Sequence, residues 1–245
     1  MSKPSSAGGP AAEKILLVGA TGLVGSRIME ACTGRADFQL VALARREAEL
    51  PAGARMEMVV ADPANWSEVL ESVRPDVVVN ALGTTWNKAG KDEAAFRAVD
   101  HDLVLAVAAA AHQFGVERFI SISSTMANAA SNNFYLKVKG EAEQALMKTG
   151  FKRLDIVRPG LLKGPRSDDR RPAERLGMML APITDLFLHG KYRAVRSIDA
   201  RMVADAVLAL AKRHAAGRFK HDNDAIRRAA NSLPAIAADI ADTGG

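Results

Sequence analysis

Short apolar runs alternate with longer stretches of helical periodicity through most of the chain. Ile15-Leu16-Leu17-Val18 and Val77-Val78-Val79 are apolar at every position rather than at alternate ones. That is the pattern of central strands covered by helices on both faces. The runs predict strands at Lys14 to Val18, Gln39 to Ala44, Glu57 to Ala61, Asp76 to Leu82, Arg118 to Ser123 and Leu154 to Arg158. Helices are predicted between them at Leu23 to Cys32, Asn65 to Ser72, Asp92 to Phe114 and Phe134 to Lys148, and later at Ala200 to Arg213. Pro51-Ala52-Gly53, Pro63, Pro75, Gly90 and Gly115 fall in the joints, where turns need them. Strands alternating with helices imply an α/β protein with a doubly wound parallel sheet.

Beyond Pro159 the pattern weakens. A Gly/Pro/Arg-rich loop runs from Gly160 to Pro172, followed by a helical stretch near Glu174 to Leu188 and a short strand at Tyr192 to Val195. This region, about 160–200, reads as a small C-terminal substrate lobe on a single domain spanning 14–230. Residues 1–13 are rich in Ser, Gly, Pro and Ala and read as a disordered leader, and 231–245 as a frayed tail.

The first strand runs directly into Gly19-Ala20-Thr21-Gly22-Leu23-Val24-Gly25, which opens an amphipathic helix. A glycine turn between a strand and a helix N-terminus suits a dinucleotide pyrophosphate. Gly19 makes the tight turn, Gly22 lets the backbone approach the anion, and Gly25 lets helix and strand pack closely. The helix N–H groups and dipole then hold the negative charge. The topology this implies is the Rossmann type. The second strand ends in Arg45-Arg46, two guanidinium groups where NAD-specific proteins carry a carboxylate for the ribose diol. They favour a 2′-phosphate, so NADP(H) is the expected cofactor, with NAD(H) as the alternative. Asp62, after the third strand, is placed to accept from the adenine amino group or else to cap its loop, and Asn80-Ala81-Leu82-Gly83 ends the fourth strand beside the cofactor ribose. These positions are carboxyl ends of strands, where open α/β sheets bind ligands.

Tyr135 and Lys139 are four residues apart on a predicted helix and so share one face. A free tyrosine has a pKa of about 10, and an adjacent ammonium favours the phenolate. Lys139 can also hold the nicotinamide ribose. The fifth strand ends Ser121-Ile122-Ser123-Ser124-Thr125, delivering a hydroxyl to the same sheet edge, from Ser124 first and Ser123 second.

Composition narrows the classes. Hydrophobic residues at 48% and charged residues at 25% describe a folded domain rather than a disordered or fibrous chain. The longest apolar run, Leu103 to Ala111, is about half the roughly 20 residues of a membrane-spanning helix, so no membrane segment is expected. Net charge is +5 and the pI is near 9.5, but the basic residues are interspersed with acidic ones and no nucleic-acid motif is present. The charge therefore suits an anionic small molecule rather than nucleic acid. Cys32 is alone, so no intramolecular disulfide can form, and it is expected to pack in the core. The histidines lack metal-ligand spacing, so no metal is expected. With no cleavable signal pattern, a cytoplasmic protein is expected.

The GxxGxxG spacing, with Ser124, Tyr135 and Lys139, resembles the short-chain dehydrogenase/reductase superfamily, particularly its extended, epimerase-like, and atypical branches. Several further runs are similar to the Tat-interacting-protein-like atypical branch. They are Ala81-Leu82-Gly83-Thr84-Thr85, Lys88-Ala89-Gly90, Phe96-Arg97-Ala98-Val99-Asp100, Phe134 through Glu141, and Arg158-Pro159-Gly160. The likeness extends from about Lys14 to about His221. It implies an NAD(P)-binding oxidoreductase in which serine orients a substrate carbonyl, tyrosine exchanges the proton and lysine tunes it. It also implies cofactor contacts from Gly19, Thr21, Gly22, Leu23, Val24, Gly25, Arg45, Arg46, Asp62, Asn80, Ala81, Leu82, Gly83, Tyr135, Lys139, Pro159 and Gly160. The expected partner is a small carbonyl-like substrate, with the oligomeric state open. The branch equally admits an NADP(H)-binding regulatory or redox-sensing protein without turnover. A sugar-nucleotide epimerase is disfavoured, because too little chain follows Lys139 for a large substrate domain.

Overall fold

The computed structural model describes residues 12–164 and 196–236. In chain order these form β1 (Glu13–Val18), α1 (Leu23–Cys32), β2 (Phe38–Ala44), β3 (Glu57–Val60), α2 (Trp66–Val73), β4 (Val77–Asn80), α3 (Glu93–Arg97), a π-helical turn (Ala98–Asp102), α4 (Leu103–Gln113), β5 (Arg118–Ile122), α5 (Phe134–Leu146), β6 (Arg153–Val157), β7 (Leu162–Lys163), β8 (Ile198–Asp199), α6 (Ala200–Ala211), β9 (Gly217–His221) and α7 (Asn223–Asn231). The main sheet has the order β3-β2-β1-β4-β5-β6-β9, and every neighbouring pair is parallel. This is the doubly wound Rossmann-type sheet that the strand–helix alternation predicts.

The uniformly apolar strands are explained by their two coverings. Along β1, Ile15 and Leu17 face a layer containing Ile28 of α1, Val203 and Val207 of α6, and Ile226 of α7. Leu16 and Val18 face Trp66 and Leu70 of α2, Val104 and Val107 of α4, and Leu146 of α5. Each such side chain contributes about 1.5–3 kcal/mol when fully buried, so both faces of β1 must be apolar. The strand order reverses between β1 and β4, and the crevice at their carboxyl ends is where open α/β sheets take ligands.

Several elements depart from the pattern read in the sequence. The single helix expected from Asp92 to Phe114 is α3, a π turn and α4, and the turn carries the buried Asp100. Strand β9 and helix α7 were not anticipated. Arg218 and Lys220 of β9 are exposed at the sheet's edge, so the strand shows no apolar run. After Asn231, Leu233 lies against the core and Arg35 Nη2 donates to the Pro234 carbonyl at 2.8 Å. In the region read as a substrate lobe, β7 and β8 pair in parallel as a separate two-stranded sheet. The expected helix at Glu174 to Leu188, the strand at Tyr192 to Val195 and the arginine-rich loop from Pro165 onward lie outside the described residues.

Candidate functional site

The turn between β1 and α1 is shaped by what a side chain would strike. Gly19 has φ +88°, and its amide-to-carbonyl turn closes through Gly22 N–H donating to Gly19 O at 3.1 Å. A Cβ on Gly25 would lie 2.2 Å from Gly19 O, so α1 starts as close to the strand end as backbone allows. Gly22 is the N-cap of α1, with no side chain capping the helix and no acidic residue in its first turn. Thr21 is exposed, Leu23 half-buried and Val24 buried. Uncapped N–H groups, a positive helix end and no competing carboxylate fit a dinucleotide pyrophosphate. The turn after β4 packs against this one, with Ala81 N–H donating to Val18 O at 2.8 Å.

Arg45 and Arg46 follow β2 and are exposed. Asp62 Oδ1 accepts from Ala64 N at 2.9 Å, capping the 3-10 turn Pro63–Asn65, so one of its oxygens serves the loop. Asn80 is fully buried. Its Nδ2 donates to Ser121 Oγ at 3.1 Å and its Oδ1 accepts from Leu82 N at 3.4 Å. Asn80 thus shapes the turn Ala81-Leu82-Gly83 from within.

Helix α5 is capped by Asn133, whose Oδ1 accepts from Leu136 N at 3.1 Å. Tyr135, in its first turn, is 38% exposed. One turn deeper, Lys139 is buried and its Nζ lies 2.7 Å from Asp100 Oδ1. That oxygen has no aligned hydrogen-bond partner, so the contact is a close pairing of charges. Asp100 Oδ2 accepts from Thr84 N at 2.7 Å, and a Cβ on Gly83 would lie 3.7 Å from Lys139 Nζ. Lys139 and Gly83, assigned separately to the cofactor from the sequence, therefore meet at the crevice. Asp100 was missed as a site residue. Asp100 lies four residues after Phe96 and four before Val104, both buried, so helical spacing puts it on their inward face, and π turns of the kind that carries it recur at functional sites.

A buried ion pair is costly to break from one side, typically about 3–5 kcal/mol, because an uncompensated charge remains. Asp100→Ala is expected to lose stability in that range in urea unfolding. The double variant Asp100→Leu, Lys139→Met should recover most of the loss, since apolar replacement of a whole buried pair is often neutral.

The two serines at the end of β5 differ. Ser123 is buried and its Oγ donates to Glu143 Oε1 at 2.6 Å, a carboxylate that also accepts from Arg158 Nε at 2.8 Å and lies 3.4 Å from Lys220 Nζ. Its hydroxyl is committed to that network. Ser124 is half-buried at the strand exit. Thr125 N–H donates to Pro159 O at 2.9 Å, and Gly160 N–H to Asn223 Oδ1 at 2.8 Å, which ties the ends of β5 and β6 to α7. A Cβ on Gly140 would lie 2.2 Å from Ala129 N. Glycine there lets α5 lie directly on the loop that follows Ser124.

Three aromatic rings gather beside Tyr135, which the spacing of aromatics along the chain does not announce. Phe96, fully buried, has the rings of Tyr135, Phe134 and Trp86 at centroid distances of 5.6, 5.8 and 6.4 Å. Cys32 is buried, and burial pushes its thiol up to about 12, so it packs as a small apolar group. Among the described residues no group of three or more His, Cys, Asp or Glu is placed to hold a metal, and no helix is long and apolar enough to cross a membrane.

A profile of the NAD(P)H-binding family matches residues 19–213. The mitochondrial protein FMP52 of Candida albicans is 32% identical over 229 residues, covering 89% of this chain and 98% of its own. Among solved structures, a putative NAD-dependent epimerase/dehydratase from Bacillus halodurans superposes with TM-score 0.66 at 24% identity, covering 91% of this chain and 100% of its own. The Bordetella bronchiseptica enzyme WbmH, in complex with NAD+, gives TM-score 0.66 at 17% identity over 86% of this chain and 76% of its own. The expectation of a cytoplasmic protein is overturned by the relatives, since the FMP52 proteins at 32–35% identity are named mitochondrial. The matched profile spans the glycine turn, the crevice between β1 and β4 and the helix bearing Tyr135 and Lys139, and on that match the chain belongs to the NAD(P)H-binding family.

Proposed function

We propose that the protein is an NADPH-dependent reductase of a small carbonyl compound, with Tyr135 as general acid, Lys139 as its partner and ribose ligand, and Ser124 as the group that orients the carbonyl. The observation that carries this reading is the position of Lys139. It is buried beside Gly83 at the cofactor crevice, while Tyr135 stands one helical turn outward, open to solvent. The cofactor, when bound, supplies hydride to the carbonyl carbon. Tyr135 gives its proton to the carbonyl oxygen, Ser124 donates a hydrogen bond that holds that oxygen in place, and Lys139 fixes the ribose on the floor of the site. Ser123 is left out because its hydroxyl already serves Glu143. A panel of aldehydes and ketones scored by NADPH oxidation tests the reading. Tight NADPH binding with no turnover of any of them would leave a cofactor-responsive binding protein instead.

NADPH is preferred over NADH because Arg45 and Arg46 follow β2, exposed, at the position for the adenosine ribose. Charge-assisted hydrogen bonds are worth about 1.5–3 kcal/mol each. Replacing both arginines by alanine should weaken NADPH binding at least about tenfold and leave NADH binding unchanged, as read by fluorescence titration. Equal affinity of the unmodified protein for the two cofactors would remove the assignment.

A further inference from the structure

Aromatic residues are scarce in this chain, at 5%, yet four of them meet at one place. Trp86 lies on the loop after β4, Phe96 on α3, and Phe134 and Tyr135 on the first turn of α5. The rings are tilted or edge-on to one another, by 58° to 63°, around the buried Phe96. Such geometry is attractive between aromatic faces and edges. The outer members of the cluster stay open, Trp86 at 41% and Tyr135 at 38% exposure. Met126, two residues past Ser124, is 59% exposed, and Leu161, next to Gly160, is 55% exposed.

Single exposed apolar side chains are ordinary, but grouped ones mark binding surfaces. Of the seven large hydrophobic residues exposed among the described residues, Trp86, Met126, Tyr135 and Leu161 sit on the segments that follow the carboxyl ends of β4, β5 and β6, whereas Leu50 follows β2 and Val60 ends β3, on the side of Arg45 and Arg46, and Ile236 lies beyond α7. Among the described residues, three cations at α5 are held by carboxylates, Arg97 by Glu141, Lys139 by Asp100 and Arg158 by Glu143, while Lys137 of α5 is exposed. An anionic substrate would have to break one of these pairs to use them, whereas an uncharged one leaves them intact.

We propose that the substrate side of the site takes a flat, uncharged aromatic carbonyl compound, an aryl aldehyde or ketone, whose ring lies on the Trp86–Phe134–Tyr135 surface with its carbonyl at Tyr135 and Ser124. The proposal rests on the reading of Tyr135 as proton donor and names what that residue acts on. The step balances: the carbonyl carbon gains hydride from NADPH, its oxygen gains the Tyr135 proton, the products are a benzylic alcohol and NADP+, and the Tyr135 phenolate left behind takes a proton from the solvent to which it is open.

The test compares acetophenone with cyclohexyl methyl ketone, a saturated analogue, and with an anionic 2-keto acid, in both turnover and binding. Binding is read as quenching of tryptophan fluorescence in the NADP+-loaded protein; Trp66 is buried and Trp86 exposed, so a ligand on the rim quenches chiefly Trp86. The aryl ketone should have a kcat/KM at least about tenfold above the other two. Trp86→Ala should raise its KM roughly three- to tenfold, the worth of one aromatic pair, with the NADPH Kd unchanged and with Trp86→Phe restoring most of the loss. Preference for the keto acid or the saturated ketone, or a Trp86→Ala variant with unaltered KM, overturns the proposal. Quenching by the aryl ketone without turnover supports the aromatic site and overturns the reductase instead. The absence of both quenching and turnover overturns the aromatic site.

Discussion

Tyr135→Phe should bind NADPH as the unmodified protein does and turn over substrate 10²- to 10⁴-fold more slowly, about the usual contribution of a positioned general acid. The substitution removes one oxygen and keeps the ring. The ring has a structural task, since its centroid lies 5.6 Å from that of the fully buried Phe96, and phenylalanine performs it equally well. The start of α5 is secured by Asn133 rather than by the tyrosine hydroxyl, so Lys139 stays one turn deeper against Asp100. Loss of kcat with an unchanged cofactor Kd and unchanged thermal unfolding would therefore isolate the proton. A Tyr135→Phe variant with full activity would overturn the mechanism. One with parallel losses of activity and stability would show that the hydroxyl is structural.

The parts of this site that can be read from the sequence are those made by neighbours in the chain. Gly19 to Gly25 follow an apolar run and open a helix, so strand, turn and helix start are visible in a dozen consecutive residues. Tyr135 and Lys139 are visible together because helical periodicity alone puts them on one face. Asp100 was hidden because its meaning depends on Lys139, on another helix, and on Thr84, in the loop after β4. The choice between Ser123 and Ser124 likewise waits on Glu143 and Arg158, which reach the serine only after β5, α5 and β6 have packed. Strand β9 was hidden for a different reason. A strand at the sheet's edge needs only one covered side, and Arg218 and Lys220 are exposed there, erasing the kind of apolar run that reveals interior strands such as β1 and β4.

Gly25→Ala should cost both stability and cofactor, whereas Gly22→Ala should cost mainly cofactor. The added methyl at position 25 would stand 2.2 Å from Gly19 O and 2.8 Å from Ala20 Cα. Both are backbone atoms that cannot rotate away, so α1 itself must move. Overpacking of this kind costs about 1–3 kcal/mol. The shift also carries the N–H groups of α1 away from the pyrophosphate, and a displacement on the order of 1 Å in a positioning element can cost about 10²-fold. At position 22 the methyl would lie 3.3 Å from Gly19 O and 3.8 Å from Ala81 O, distances the turn can meet with small adjustments. The helix then stays in place, and the methyl projects where the backbone must approach the anion. Thermal unfolding and NADPH titration of the two variants distinguish these outcomes. A Gly25→Ala protein with unaltered melting temperature and cofactor affinity would show that α1 does not depend on this contact, and a Gly22→Ala protein that binds NADPH normally would move the pyrophosphate away from the turn.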